Sequence, residues 1–218
     1  MSAAAIILLA SVLSAEAVPF LELYTLTNSG GAMLNISDYN HNLETVGFDN
    51  MIQSICGQGV WLLYEDRDYN GHSENDWEHW TEMFMSGERG CHNLPVTHHG
   101  ELTSLRYAGP GELAKDSLTL YHGFNWDGAE ALFLKDEDNL SDMNNEPSSL
   151  VITGCTPWTL YQHYYYEGYA ICAESWPIGN GICAGAYDLT DIGMPNNALS
   201  SIRRGCYADK TIKPKRPF

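Results

Sequence analysis

The sequence predicts an all-β protein of two domains, each a two-sheet sandwich of two Greek keys. Three observations carry that expectation. An apolar-x-Leu-Tyr element occurs four times, as Leu21-Glu22-Leu23-Tyr24, Trp61-Leu62-Leu63-Tyr64, Leu118-Thr119-Leu120-Tyr121 and Trp158-Thr159-Leu160-Tyr161. Three of the four continue as Tyr-x4-aromatic-x-Gly, through Tyr69 and Gly71, Trp126 and Gly128, and Tyr166 and Gly168; the first copy has Ser29 and Gly31 at those places. Each unit then closes near a Ser-Ile or Ser-Leu pair: Ser54-Ile55, Ser104-Leu105, Ser149-Leu150, Ser201-Ile202. The unit is about 40 residues long and the pair recurs after about 97, so there are four units in two pairs. A fixed period of this kind marks a repeat architecture.

The elements of a unit follow from local chemistry. Period-2 alternation of Leu, Tyr and Trp suits a half-buried strand. A glycine two residues after an aromatic permits positive φ at a tight fold, across which the aromatic can pack. Asn, Pro, Gly and Asp between the apolar runs break helices. Four short strands form a Greek key, and two such units form a sandwich.

In chain order, residues 1–17 are apolar and small, with an h-region over Ala5–Leu13 and Ala15-Glu16-Ala17 as a small-x-small cleavage site. That reads as a signal peptide too short to span a membrane, although no Lys or Arg opens it. A buried N-terminal strand or helix is the alternative. The first domain is expected over 18–108, a Gly-Pro-Gly linker over 109–116, the second domain over 117–207 and a disordered basic tail over 208–218. Lys210–Arg216 holds four of the chain's 11 basic residues. No later stretch is apolar enough to cross a membrane. The net charge of -17 argues against a nucleic-acid partner, while an acidic surface attracts cations.

Six cysteines, two in the first pair of units and four in the second, suit disulfides and an oxidising compartment. The pairing taken here is Cys56–Cys91, Cys155–Cys206 and Cys172–Cys183; the last two are one of three arrangements open to four cysteines. No paired Cys-x-x-Cys knuckle points to zinc. Asn35-Ile36-Ser37 and Asn139-Leu140-Ser141 are glycosylation acceptors in an exported chain. Residues 74–100 read as an extended inter-strand loop whose aromatics cap the sandwich. Trp77 and Trp80 there are candidates to stack on a glycan or protein partner. His98 and His99 lack a third ligand and read as exposed loop histidines.

The chemistry sits in two hexapeptides, Asn144-Asn145-Glu146-Pro147-Ser148-Ser149 and Asn196-Asn197-Ala198-Leu199-Ser200-Ser201, at equivalent places in their units. Amides, hydroxyls and free carbonyls are oxygen ligands of the kind Ca²⁺ takes. Asn and Ser are also ordinary turn residues, so a single copy would mean little. Across about residues 20–207 the chain resembles the βγ-crystallins. Their fold signature is Tyr-x4-aromatic-x-Gly, and their calcium signature is Asn/Asp-Asn/Asp-x-x-Ser/Thr-Ser. Trp61 and Trp158, opening the second key of each domain, also fit.

The resemblance implies exchanged ligands between the two loops of a domain. One site would use Asn145, the Glu146 carbonyl, Ser200 and the His122 carbonyl. Its mate would use Asn197, the Ala198 carbonyl, Ser148 and the Gln162 carbonyl. The first domain departs from the pattern: a site of Asn50, the Met51 carbonyl, Thr103 and the Thr25 carbonyl is possible, but its mate would need Gly100 and Gln53. Because the second positions are neutral Asn, affinity should be micromolar or weaker.

The expectation is therefore a secreted, Ca²⁺-stabilised structural protein, monomeric or weakly dimeric. The rival is an extracellular binding module, such as a lectin, toxin-like or defence protein, acting through residues 74–100. An enzyme is not expected: Gly-x-Ser-x-Gly, His-Glu-x-x-His and a phosphate-cradling Gly loop are all lacking.

Overall fold

The computed structural model describes residues 18–71 and 79–214. The expected signal peptide, Trp77 and the end of the basic tail lie outside them.

In the first domain β1 (Phe20–Leu26), β2 (Gly30–Ile36), β3 (Ser54–Tyr64), β4 (Thr81–Asn93) and β5 (Ser104–Tyr107) are joined in one pairing, β2-β1-β3-β4, with β5 also on β3. The N-terminal half of β3 pairs with β1 (Leu21↔Gly57) and its C-terminal half with β5 (Leu63↔Leu105). β4 follows β3 along its length with a register shift between Gly57 and Gly59. One ribbon thus serves both layers. Gly57 permits the crossing, because a Cβ there would sit 2.4 Å from the Phe20 carbonyl oxygen. The core between the layers holds Leu21, Leu23, Ile55, Trp61, Leu63 and Leu105.

The second domain has two separate sheets. One is β11 (Trp176–Gly179), β12 (Ile182–Asp188), β8 (Ser149–Thr153), β6 (Ser117–Tyr121) and β7 (Glu130–Phe133); the other is β13 (Ser201–Arg204), β9 (Trp158–His163), β10 (Glu167–Ala173) and β14 (Thr211–Ile212). Only a four-residue α-helix, α1 (Leu189–Ile192), follows β12. Trp158 is fully buried here, as Trp61 is in the first domain.

Several expectations need correction. The bonds in the second domain are Cys155–Cys183 and Cys172–Cys206, whereas Cys56–Cys91 is as expected. Sheet pairing decides this. Thr153 on β8 faces Ala184 on β12, which brings Cys155 to Cys183. β10 and β9 place Cys172 beside the chain leaving β13 (Cys172↔Thr159, Arg203↔Thr159). Residues 81–93 are strand rather than loop, because the apolar positions of β4 pair with β3. The expected tail is structured as far as Ile212, since β14 pairs in parallel with β10.

The domains are joined by more than the linker. Val60, Leu62 and Tyr64 of β3 pack with Tyr121, Val151 and Ala184 of the second domain. Arg106, only 2% exposed, lies in this seam. It donates to the Tyr64 hydroxyl at 2.9 Å and the Trp126 carbonyl at 2.7 Å, and its Nε is 3.4 Å from Glu130. Its guanidinium also lies over the rings of Tyr64, Tyr69 and Tyr121. The buried Asp127 accepts from Thr81 and Asn70 and pairs with His79 across the seam.

Candidate metal sites in the paired loops

Each unit is closed by the same device. The final serine of the loop hexapeptide donates to a carbonyl two residues past the unit's first tyrosine, and accepts the N–H five residues past it. Ser54 bonds Leu26 O and Ser29 N–H. Ser104 bonds Asp66 O and Tyr69 N–H. Ser149 bonds Gly123 O and Trp126 N–H, and Ser201 bonds His163 O and Tyr166 N–H. All four serines are buried. Half of the Ser-Ser signature is therefore a staple for the hairpin. The sequence signal for it was the fourfold Ser-Ile/Leu ending, which registered only as a boundary mark.

The residue before the staple is set by the backbone. The N–H groups of Gln53, Thr103, Ser148 and Ser200 donate to the carbonyls of Tyr24, Tyr64, Tyr121 and Tyr161. This places the fifth loop residue beside the residue after each tyrosine, where Thr25, His122 and Gln162 were expected to offer carbonyls. The second loop residue is left-handed in all four copies: Asn50 at φ 54°, Gly100 at 73°, Asn145 at 57° and Asn197 at 53°. Asn tolerates that region because its short polar side chain bonds locally, and Gly tolerates it freely. The loop thus keeps one shape even where Gly100 has no ligand to give.

The expected partners meet across the loops in two cases. The Ser200 hydroxyl lies 3.3 Å from the Asn145 amide oxygen, and the Thr103 hydroxyl lies 3.5 Å from that of Asn50. The loops are also tied by Asn145 N–H to Leu199 O and Asn50 N–H to Leu102 O. Asn197 and Ser148, by contrast, share no hydrogen bond among the described residues; Asn197 is exposed and Ser148 buried. Two further oxygens were missed in the sequence. Asn144 Oδ1 and Asp49 Oδ1, at the first positions of their loops, are buried without a hydrogen-bond partner. A buried oxygen left unpaired is costly, and a cation at the loop would satisfy it. Among the described residues no three His, Cys, Asp or Glu side chains form a metal cluster. The donors here are amide, hydroxyl and carbonyl oxygens, a set that fits a hard cation.

The aromatic candidate is less open than expected. Trp80 is half-buried against the first core, donates to Glu101 at 3.2 Å and stacks on His98 with centroids 4.2 Å apart. His98 and His99 are not exposed loop residues; His98 lies 3.6 Å from Glu82 and His99 reaches the Leu94 carbonyl. The aromatic stack and backbone bond draw both rings inward.

A solved structure shares this fold. Geodin, a βγ-crystallin from Geodia cydonium, overlays 86% of this chain and 99% of its own with a TM-score of 0.62 at 21% identity. The chain has the βγ-crystallin fold. An archaeal βγ-crystallin covers 41% of the chain and 96% of its own length at 22% identity, with a TM-score of 0.35. The solution structure of Protein S complexed with calcium covers 87% and 100% at 16% identity and a TM-score of 0.31. The fold assignment rests on the Geodin overlay. No family model matches the sequence, and no curated protein matches it.

Proposed function

We propose that this βγ-crystallin-fold chain is an exported, disulfide-bonded protein that binds Ca²⁺ in its paired loops and is stabilised by it. The observation that carries this reading is the convergence of Ser200 and Asn145 from different loops, beside the partnerless Asn144 oxygen. Asn145, Ser200 and the carbonyls of Glu146 and His122 would hold one ion. Asn197, Ser148 and the carbonyls of Ala198 and Gln162 would hold a second. In the first domain Asn50, Thr103 and the carbonyls of Met51 and Thr25 would hold a third, with Asp49 as an added charge nearby. The ion supplies a positive centre that ties one Greek key to its mate; the protein's part is to hold the loops in register beforehand. Three disulfides support an oxidising compartment. The half-buried Trp80 favours this structural role over the rival binding module.

An ion that binds only the folded domain adds about 2.7 kcal/mol per site at 100 times its dissociation constant. That is a large part of a typical total of about 5–15 kcal/mol. The test is a calorimetric Ca²⁺ titration with melting curves in Ca²⁺ and in chelator. Wild type should bind two or three ions and melt higher in Ca²⁺. Asn145→Ala with Ser200→Ala should remove one site and part of the rise. Heat and melting curves unchanged by Ca²⁺ in wild type would end the proposal.

A further inference from the structure

A cavity of about 650 Å³ lies in the seam between β4 and the β12–α1–β14 side of the second domain. Its size falls in the ordinary range for small-molecule sites, and a domain boundary is an ordinary place for one. Met83, Met85, Ile192 and Ile212 line it, and Trp126 and Trp176 contribute aromatic surface. Methionines adapt to varied apolar shapes. Trp126 is held firmly: its indole N–H donates to Leu150 O, and its carbonyl accepts from Tyr64 and Arg106. That wall is formed before any ligand arrives.

The charges at the cavity are unbalanced. Lys213 turns to Glu174 at 3.5 Å, and His92 lies 3.8 Å from Glu82. Among the described residues Asp188 and Asp191, both lining the cavity, form no ion pair. Burial first, and then the neighbouring Asp191, push the Asp188 carboxyl above the usual range, opposed by the Asn125 N–H that it accepts at 3.0 Å. A half-buried carboxylate of this kind would be relieved by a cation. The tryptophans add cation–π attraction, whereas an anion would face the two unpaired carboxylates, with Lys213 already turned to Glu174.

We propose that this inter-domain cavity binds a small amphipathic organic cation, an amine or quaternary ammonium with an apolar body, whose charge faces Asp188 and Asp191 and whose body rests on Trp126, Trp176 and the methionines. The site adjoins the Asn144–Ser149 loop, since Asp188 is in register with Ser149 and the Trp126 backbone N–H donates to the Ser149 hydroxyl, but it uses none of the side chains assigned to Ca²⁺.

The experiment uses the full chain and three matched probes: benzyltrimethylammonium, neutral benzyl alcohol and anionic phenylacetate. Calorimetry supplies affinities, and saturation-transfer NMR supplies contact. The cation should bind about tenfold or more tighter than the alcohol, with the anion weakest. Asp191→Asn, at an exposed position, should weaken the cation alone. Asp188→Asn, which keeps an acceptor for Asn125, should weaken it further. Ala186→Phe, placed on the cavity wall, should block all three probes. The proposal is overturned if no probe binds up to about 10 mM, if phenylacetate binds as well as the cation, or if neither Asp variant changes the cation's affinity.

Discussion

Replacing Arg106 with Ala should both destabilise the protein and loosen its two domains. The side chain is 2% exposed and lies between them. Its removal leaves the Glu130 carboxylate without its ion partner at 3.4 Å, deletes the bond to the Trp126 carbonyl and exposes three tyrosine rings to a void. Breaking a buried ion pair by removing one member costs about 3–5 kcal/mol. Lost hydrogen bonds to a charged group, at about 1.5–3 kcal/mol each, are of consistent size and overlap that figure. Tyr64 still donates to the Trp126 carbonyl at 2.7 Å, and Tyr39 still donates to Glu130 at 2.6 Å, so the lower half of the range is expected. Urea unfolding by linear extrapolation measures the loss, and small-angle scattering reads the domain separation. The doubly apolar Arg106→Met/Glu130→Leu variant should recover most of the stability, because no charge is then stranded. A loss below about 1 kcal/mol for Arg106→Ala, with unaltered scattering, would refute the assignment of Arg106 as the tie between domains.

Three further outcomes follow from neighbouring geometry. Ser201→Ala strands the His163 carbonyl and the Tyr166 N–H and should cost about 1–3 kcal/mol in Ca²⁺ and chelator alike. The adjacent Ser200→Ala should differ from wild type mainly in Ca²⁺; the same pair of melting curves for both variants would contradict the division of roles. For Asp116, burial raises the carboxyl, but the Thr156 hydroxyl and N–H and the Arg204 guanidinium outweigh it and hold it below its ordinary 3.8. The unfolded chain then binds more protons across the interval between the two values, so Asp116 stabilises above 3.8 and that contribution is lost as pH falls through the folded value. Asp116→Asn should lower stability at neutral pH and flatten the acid limb of the stability–pH curve; an unchanged acid limb would remove this residue from the account.

The repeat itself was legible because each key needs the same local chemistry: an alternating strand, a left-handed hairpin position and a serine to close it. Trp61 and Trp158 therefore sit in the two cores, and the four Tyr lie in β1, β3, β6 and β9 as the pattern put them. Even so, the hairpin copies differ in detail. Gly31, Gly128 and Gly168 take positive φ, while in the second unit Asn70 does so at 57° and Gly71 does not. The loop pairs Asn145 with Ser200 and Asn50 with Thr103 came from the resemblance to the βγ-crystallins rather than from the residues themselves; their side-chain oxygens lie 3.3 and 3.5 Å apart.

What the sequence could not decide was anything set by partners distant in the chain. Four cysteines allow three connectivities, and only the neighbours of β8 and β10 choose among them. β4 looked like a loop because its own pattern is weak; its strand conformation comes from pairing with β3. Arg106, Glu130 and Asp127 look like ordinary surface charges in one dimension. They belong to the seam only because the packing of the two domains buries Arg106 and Asp127 and half-buries Glu130, where an unpaired charge is costly to leave. Local periodicity thus determined the keys, and long-range packing determined the bonds, the seam and the cavity within it.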